Sequence, residues 1–595
     1  MRSTLTWRLG WVLAALIPAA FLVLFFAWPA ATLVARGFHD GSAWTIDGFR
    51  TVFGSRRTWS AVGFTLGSAA LSTVVCLLLG LPGAYLLYRC TFRGRDLLRA
   101  LITVPFVLPT VVVGVAFGSL LRRDGLLGWL GLEGTPVAIL AAMVFFNYSV
   151  IVRTVGTMWS RLDPRLAQAA GTLGASPLRA LRTVTLPALT PAIVSGASLV
   201  FLFSASSYGI VMVLGQSKYR TIETEIWFLT TRLLDLPSAA ALSITQLIIV
   251  TIALWLSGRA QAHMTRALKL QPDVDAERVL DLSRDGGALI TTLTVAIVLL
   301  GLPLANLVWR SLHRGGEFTV ANYVQLAVEG GGSVSVWDAL RTSLTTALAA
   351  TALAVTLGML VALVASRRPR RPLGRSALGA LESLFLLPLG VSAVTVGFGY
   401  LITLNRPPLD LRSSIVLIPI AQAVVALPLV IRTLLPTLRA IDPRQLEAAA
   451  TLGSTPWQVL RRIELPHLGR AVGLAVGFAF ATSLGEFGAT SFLARPDNPT
   501  LPVLIFRLFG RPGSENYGVA LAASVVLAGL AGITMAAAER MRPKEVGAVM
   551  RSVPCGWPER PSSAFTTSPR PAARWPWPMP ISRRAPACGR ETRGG

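Results

Sequence analysis

Few residues of this 595-residue chain have the type and spacing to act chemically on a bound molecule. The four histidines (His39, His263, His313, His467) are scattered and form no HExxH pair. The four cysteines (Cys76, Cys90, Cys555, Cys588) have neither metal-ligand spacing nor the density of a disulfide framework. No GxxxxGK[ST] loop occurs, so the chain lacks the P-loop means of cradling ATP. Neither a metal nor a cofactor is implied. What remains is a set of polar residues inside long apolar runs: Asn147, then Ser204, Ser206, Ser207 and Tyr208, then Thr482, Ser483 and Glu486. Polar groups are costly in hydrocarbon and face cavities or neighbouring helices. Two readings stay open. In one, Asn147, Ser207, Tyr208, Ser483 and Glu486 line a solute path, and Glu486 and Tyr208 attract a cationic aromatic solute through charge and cation–π contact. In the other, small hydroxyls let helices pack closely and hydrogen-bond across.

The other chemistry is mechanical. The stretch 159–187 reads as two short helices with a sharp corner. Asp163 caps the first, with Pro164 at the position where no donor is needed. Leu166 to Leu173 favours helix, and Gly174 suits a left-handed C-terminal cap. Ser176 and Pro177 start the second helix, which Pro187 is expected to end. The stretch 437–466 repeats each step with Asp442, Pro443, Gly453, Thr455, Pro456 and Pro466, and Thr455 with Gln458 has capping-box spacing. Two helices at a corner project a knob, and a pair of knobs suits a pair of external motor subunits.

The elements that must carry these residues are apolar. Hydrophobic residues make up 53% of the chain and charged ones 14%, with a mean hydropathy of +0.60. Soluble proteins carry roughly a quarter charged residues, so most of this surface must face lipid. Stretches near the ~20 residues needed to span a bilayer occur at about 11–35, 61–88, 101–121, 136–158, 188–214, 240–257, 288–311, 337–365, 377–404, 414–436, 467–494 and 518–538. The first is too long for a cleaved signal peptide and is expected to be retained. The net charge of +26 is topological rather than a sign of nucleic-acid binding. Arg89, Arg93, Arg95 and Arg99, and again Arg367, Arg368, Arg370, Arg371 and Arg375, sit in short loops, and such excess marks the cytoplasmic side. With twelve spans both termini are then cytoplasmic.

The chain repeats itself. Residues 151–189 and 430–468 align without a gap at an offset of 279, with sixteen of 39 positions identical. Trp59 to Gly80 matches Trp337 to Gly358 at 278, Pro105 and Gly114 match Pro388 and Gly397 at 283, and Ser207–Tyr208–Gly209 answers Glu486–Phe487–Gly488 at 279. Six spans per half, an even number, give a parallel repeat. The expected architecture is therefore an all-α polytopic membrane protein of about twelve transmembrane helices. The first repeat is 1–258, a polar connector covers 259–287, the second repeat is 288–541, and a Pro/Arg-rich tail at 542–595 is expected to be disordered.

The segments QAAGTLGASPLRALRTVTLP (168–187) and EAAATLGSTPWQVLRRIELP (447–466) resemble the EAA motif of binding-protein-dependent ABC import permeases. The resemblance covers about residues 10–540. It implies a type I importer permease whose ATPase subunits, two of them, dock on the helix ahead of each motif glycine, and whose substrate arrives on an extracytoplasmic binding protein. Carried over by residue, it implies ATPase-coupling contacts at Gln168, Ala169, Ala170 and Gly174, and at Glu447, Ala448, Ala449 and Gly453. Gln168 departs from the motif's Glu. Fused permeases of this kind look most like those for thiamine and ferric iron, and VFFNYSVIVRTV (144–155) and SLGEFGATSFLARPDNPTLPVLIFRLFG (483–510) lean toward thiamine. Sulfate, molybdate and polyamine remain open. Different classes would be an ion-coupled secondary transporter, for which Glu486 is the clearest deeply placed acid and Glu382 lies nearer the cytoplasmic end of its span, or a membrane scaffold that recruits an ATPase.

Overall fold

The computed structural model describes residues 2–39, 44–216, 218–265, 278–327, 334–367, 372–406, 409–411 and 414–541. The tail 542–595, connector residues 266–277, and Arg368, Arg370 and Arg371 lie outside the described residues. Among the described residues ten helices are long and apolar enough to cross a bilayer. They are Gly10–Phe38, Arg56–Arg89, Pro136–Ser160, Pro177–Ala205, Leu236–Leu256, Leu282–Ser311, Val336–Ala365, Leu417–Arg439, Pro456–Leu484 and Ser514–Arg540.

The other two expected spans are broken. The third is Arg95–Val107 followed by Thr110–Leu121, bent by 105°. The ninth is Pro372–Leu386, then a 3-10 turn Leu387–Gly390, then the short apolar helix Ala393–Thr403. Equivalent prolines explain both breaks. Pro105 sits in the 3-10 turn Val104–Val107 as Pro388 sits in its counterpart, and a proline ring cannot continue the α-helical bond pattern.

Pro187 and Pro466 do not end their helices. Each lies in a helix that continues into the fifth or eleventh span, so those spans are Pro177–Ala205 and Pro456–Leu484 rather than 188–214 and 467–494. Five-residue π-helical segments, Leu181–Thr185 and Leu460–Glu464, directly precede both prolines. A widened turn separates the proline ring from the carbonyl it would otherwise strike.

Many hydroxyls inside the spans are satisfied by their own helix, as where Thr65 and Thr351 donate to the carbonyls of Ala61 and Ala347 at 2.8 and 2.7 Å. The two halves reproduce each other's contacts. The Thr65 hydroxyl accepts from the Ile222 amide at 2.9 Å, and its repeat-mate Ser343 accepts from Leu501 at 2.7 Å. A Cβ on Gly80 would sit 2.7 Å from Ile151 Cγ2, and one on Gly358 would sit 2.6 Å from Val430 Cγ1. Small residues here let the second and eighth spans press against the fourth and tenth.

The halves also interlock. The first span packs on the second repeat, where the Tyr400 hydroxyl donates to the Phe25 carbonyl at 2.6 Å. The seventh span packs reciprocally on the first repeat. Tyr85 there donates to Asp285 at 2.9 Å, and Asn306 donates to the Ser119 hydroxyl at 3.0 Å.

Candidate functional site

The two elbows are built alike up to the cap of their second helix. Asp163 and Asp442 each accept a bond from the amide two residues on, Arg165 and Arg444, at 2.9 Å. The helices Pro164–Thr172 and Pro443–Thr451 follow. Gly174 (φ +83°) and Gly453 (φ +78°) then turn left-handed. In each, the next amide reaches back to Ala170 or Ala449 at 3.0 Å, a Schellman closure. The second elbow helix opens on Ser176, which accepts from Arg179, or on Thr455, which forms a full capping box with Gln458.

The residues expected at the corner are solvent-facing. Gln168, Ala169, Gly174, Glu447, Ala448 and Gly453 are exposed, and Ala170 and Ala449 are half-buried. Sequence reasoning missed the neighbours that stand out most. Leu173 and Leu452, repeat-mates, are 87% and 86% exposed, and Leu178 and Trp457, also repeat-mates, are 55% and 58% exposed. Each elbow therefore carries apolar side chains that the rest of the described chain leaves uncovered. The signal was a leucine directly before a left-handed glycine, with no apolar face for it to join.

The second group of residues is buried, and Tyr208 meets the other half. The fifth span stops at Ala205 and a short helix restarts at Tyr208, and the eleventh stops at Leu484. Ser207, Tyr208, Ser483 and Glu486 sit at these breaks, and Asn147 lies within the fourth span. The Tyr208 ring stacks on Phe487, 5.1 Å between centroids, and its hydroxyl bonds to Ser491 Oγ at 3.2 Å. Both Glu486 oxygens accept backbone bonds, from Ala489 at 2.7 Å and Thr490 at 3.0 Å, so this carboxylate caps the turn that follows it. Asn147 donates to Ser204 Oγ at 3.1 Å, which itself bonds to Ser72 Oγ at 3.1 Å. Asn147 Oδ1, Ser207 Oγ and Ser483 Oγ are buried with no protein partner among the described residues. Orphaned polar atoms of this kind ask for water or a solute.

At the end of the bundle away from the elbows, a cavity of about 920 Å³ is lined by Tyr219, Trp227, Phe228, Phe506 and Phe509, among others. Phe506 meets Phe487 at 5.4 Å between centroids. An aromatic series thus runs from the cavity wall through Phe487 to Tyr208. A further acid, Glu223, is only 1% exposed and accepts from Gln246 Nε2 at 3.0 Å. Lying outside the long apolar runs, it gave no signal in the sequence.

Residues 77–266 and 354–545 both match the family described as binding-protein-dependent transport system inner membrane component. The chain belongs to this family. The permease is 28% identical over 521 residues to the thiamine transport system permease protein ThiP of Salmonella typhimurium, an alignment covering 86% of this chain and 93% of that one. It is 28% identical to the ThiP of Escherichia coli over 477 residues, covering 78% and 85%. Over 192 residues it is 34% identical to the sulfate transport system permease protein CysT of Salmonella typhimurium, covering 31% and 69%. A crystal structure of a bacterial ABC transporter that imports alginate superposes on 45% of the chain with a TM-score of 0.38 at 18% identity. The permease is thus a multi-pass membrane subunit of an ABC importer, a fused pair of family domains that works with ATPase and substrate-binding partners.

Proposed function

We propose that this permease carries thiamine, or a close cationic heterocycle, into the cytoplasm, driven by two ATPase subunits that grip the elbows. The paired elbows support this reading most directly. Equivalent corners at 159–187 and 437–466 leave the repeat-mates Leu173 and Leu452 uncovered beside fixed glycine turns, an apolar pair that a docked partner would cover. The chain carries no P-loop of its own, so the nucleotide chemistry belongs to the partners. In this reading the elbows, the arginine-rich loops and both termini are cytoplasmic, and the aromatic cavity faces outward to a docked binding protein.

The closed stack of Tyr208 on Phe487 is the barrier between that cavity and the cytoplasm. ATP binding draws the ATPase subunits and their elbows together, the two halves rock about the stack, and the path opens outward. Hydrolysis reverses the motion. Asn147, Ser207 and Ser483 then use their unpaired atoms on the passing solute, with Tyr208 and Glu486 beside them. The resemblance to the ThiP relatives supports thiamine as the solute.

Co-expression with a cognate ATPase and binding protein, followed by uptake into proteoliposomes, tests the assignment. ATP-dependent uptake of labelled thiamine is expected. Uptake of ferric iron or sulfate instead would overturn the substrate, and an ATPase that fails to co-purify would overturn the role of the elbows.

A further inference from the structure

Glu223 and Glu225 stand on one short helix, Ile222–Phe228, and both are buried, at 1% and 2% exposure. Their surroundings differ. Glu225 is held between two arginines, with Arg57 Nε 2.7 Å from one carboxylate oxygen and Arg220 Nη1 3.2 Å from the other. Glu223 has only neutral company. The Gln246 amide donates to it at 3.0 Å, and the Ser392 hydroxyl, from the second repeat, stands within reach. Among the described residues no arginine, lysine or histidine pairs with it. A buried carboxylate without a cation is costly. Gln246 Oε1, on the amide that serves Glu223, is itself buried with no partner among the described residues. An anionic oxygen beside an orphaned carbonyl oxygen asks for a ligand that is positively charged and carries N–H donors.

Glu486, the acid that stands out in the sequence, is a poorer counter-ion. Both of its oxygens are taken by the amides of Ala489 and Thr490, so backbone donors already stabilise its charge. The helix that carries Glu223 is also better placed. Thr224, Trp227 and Phe228 line the 920 Å³ cavity, and the helix packs on Ala393–Thr403 of the second repeat. The charge of Glu223 acts on the Tyr208 hydroxyl, as does that of Glu486. Glu223 is thereby a neighbour of both the cavity wall and the Tyr208–Phe487 stack.

We propose that Glu223, assisted by Gln246, selects the charge of the solute: its carboxylate takes the cationic centre of an organic cation, and Gln246 Oε1 accepts from an N–H group of the same molecule. This rests on the solute being thiamine or a close cationic heterocycle. When the halves part, Ser392 withdraws with the second repeat and the carboxylate opens to the solute. When they close, the neutral hydroxyl returns and the solute moves on. Glu225, with its charge already matched by two arginines, takes no part.

Proteoliposomes holding the permease and its ATPase would be given three labelled solutes, each with saturating binding protein. These are thiamine, its uncharged isostere with carbon in place of the cationic ring nitrogen, and sulfate. Wild type is expected to import thiamine faster than the isostere. Glu223→Gln keeps the size and loses the charge, and should cut that preference about 10- to 100-fold, the worth of one charged hydrogen bond. ATP hydrolysis stimulated by the binding protein should persist, and Glu223→Asp should recover much of the preference. Gln246→Met, which removes the orphaned oxygen, should weaken the preference too and carries the test if Glu223→Gln does not assemble. Glu225→Gln is the contrast, expected to lower the thermal midpoint and leave the preference alone. Equal wild-type rates for thiamine and the isostere would overturn the assignment while leaving thiamine as the solute. So would a Glu223→Gln permease that keeps the preference or slows both solutes alike. A wild type that imports sulfate, or none of the three, would overturn the thiamine reading and this assignment with it.

Discussion

Tyr208 and Phe487 are repeat-mates and stack on each other, with ring planes 24° from parallel and centroids 5.1 Å apart. A residue can touch its own repeat-mate only where the axis relating the two halves passes between them. The stack therefore lies on the axis between the two halves, where the proposed rocking motion would part them. Cutting Phe487 to Ala removes a buried ring, a change worth about 3–5 kcal/mol in packed interiors. Tyr208→Phe keeps the ring and loses only the bond to Ser491, worth about 1 kcal/mol. Vesicles with Phe487→Ala are expected to leak small solutes without ATP, and Tyr208→Phe vesicles to stay tight. Equal tightness in both would remove the stack from the barrier.

Gly174 and Gly453 have positive φ and no atom within 4 Å of a would-be Cβ. Substitution there meets no clash, so the cost is backbone conformation alone, about 1–2 kcal/mol for an ordinary side chain. Asn tolerates this conformation and Val does not. Transport should survive Gly453→Asn and drop sharply in Gly453→Val, with insertion unchanged in both. Loss in the Asn variant as well would point to side-chain crowding by a partner instead of backbone strain.

Much of this architecture was legible because membranes simplify the problem. Length and apolarity identify spans when no water is present to satisfy a backbone, and the elbow caps follow from Asp163, Gly174 and Ser176 by local chemistry. The failures were also local. Pro187 and Pro466 look like stops, and only the preceding π-helical turns make room for them. Pro105 and Pro388 look like ordinary span residues yet break the third and ninth spans. The Tyr208–Phe487 contact and the exchange of first and seventh spans between halves depend on three-dimensional packing, which leaves no periodic trace.

Asp124 ties the halves on the side away from the elbows. Arg310 of the seventh span donates to it at 2.5 Å and Arg122 lies 3.1 Å away. Burial raises its carboxyl pKa, but the bond and charge of Arg310 and then Arg122 outweigh this and hold it below the ordinary carboxylate range. A depressed carboxyl contributes stability above its unfolded pKa, about 4, and loses that contribution as the pH falls through the folded value. Asp124→Asn should therefore lower the thermal midpoint at pH 7, and the gap to wild type should close in acid below about pH 4. A gap that persists unchanged at pH 3 would show that the tie is not electrostatic.

Leu173 and Leu452 give the most direct test of what the elbows are for. In the chain alone each is almost fully solvated, so Leu→Asp at either place removes no packing and should leave the unfolding midpoint and membrane insertion where they were. If a partner covers them, each side chain loses water on docking, and burying a leucine is worth about 1.5–3 kcal/mol, or about a 10- to 150-fold change in affinity. Placing a carboxylate in that pocket costs at least as much. Titrating purified ATPase against the permease in nanodiscs should give markedly weaker binding for Leu173→Asp and for Leu452→Asp. The double variant should lose nearly all binding, because two separated contacts add. Unchanged binding would mean that the elbow tips meet no partner, and their exposure would then need another cause.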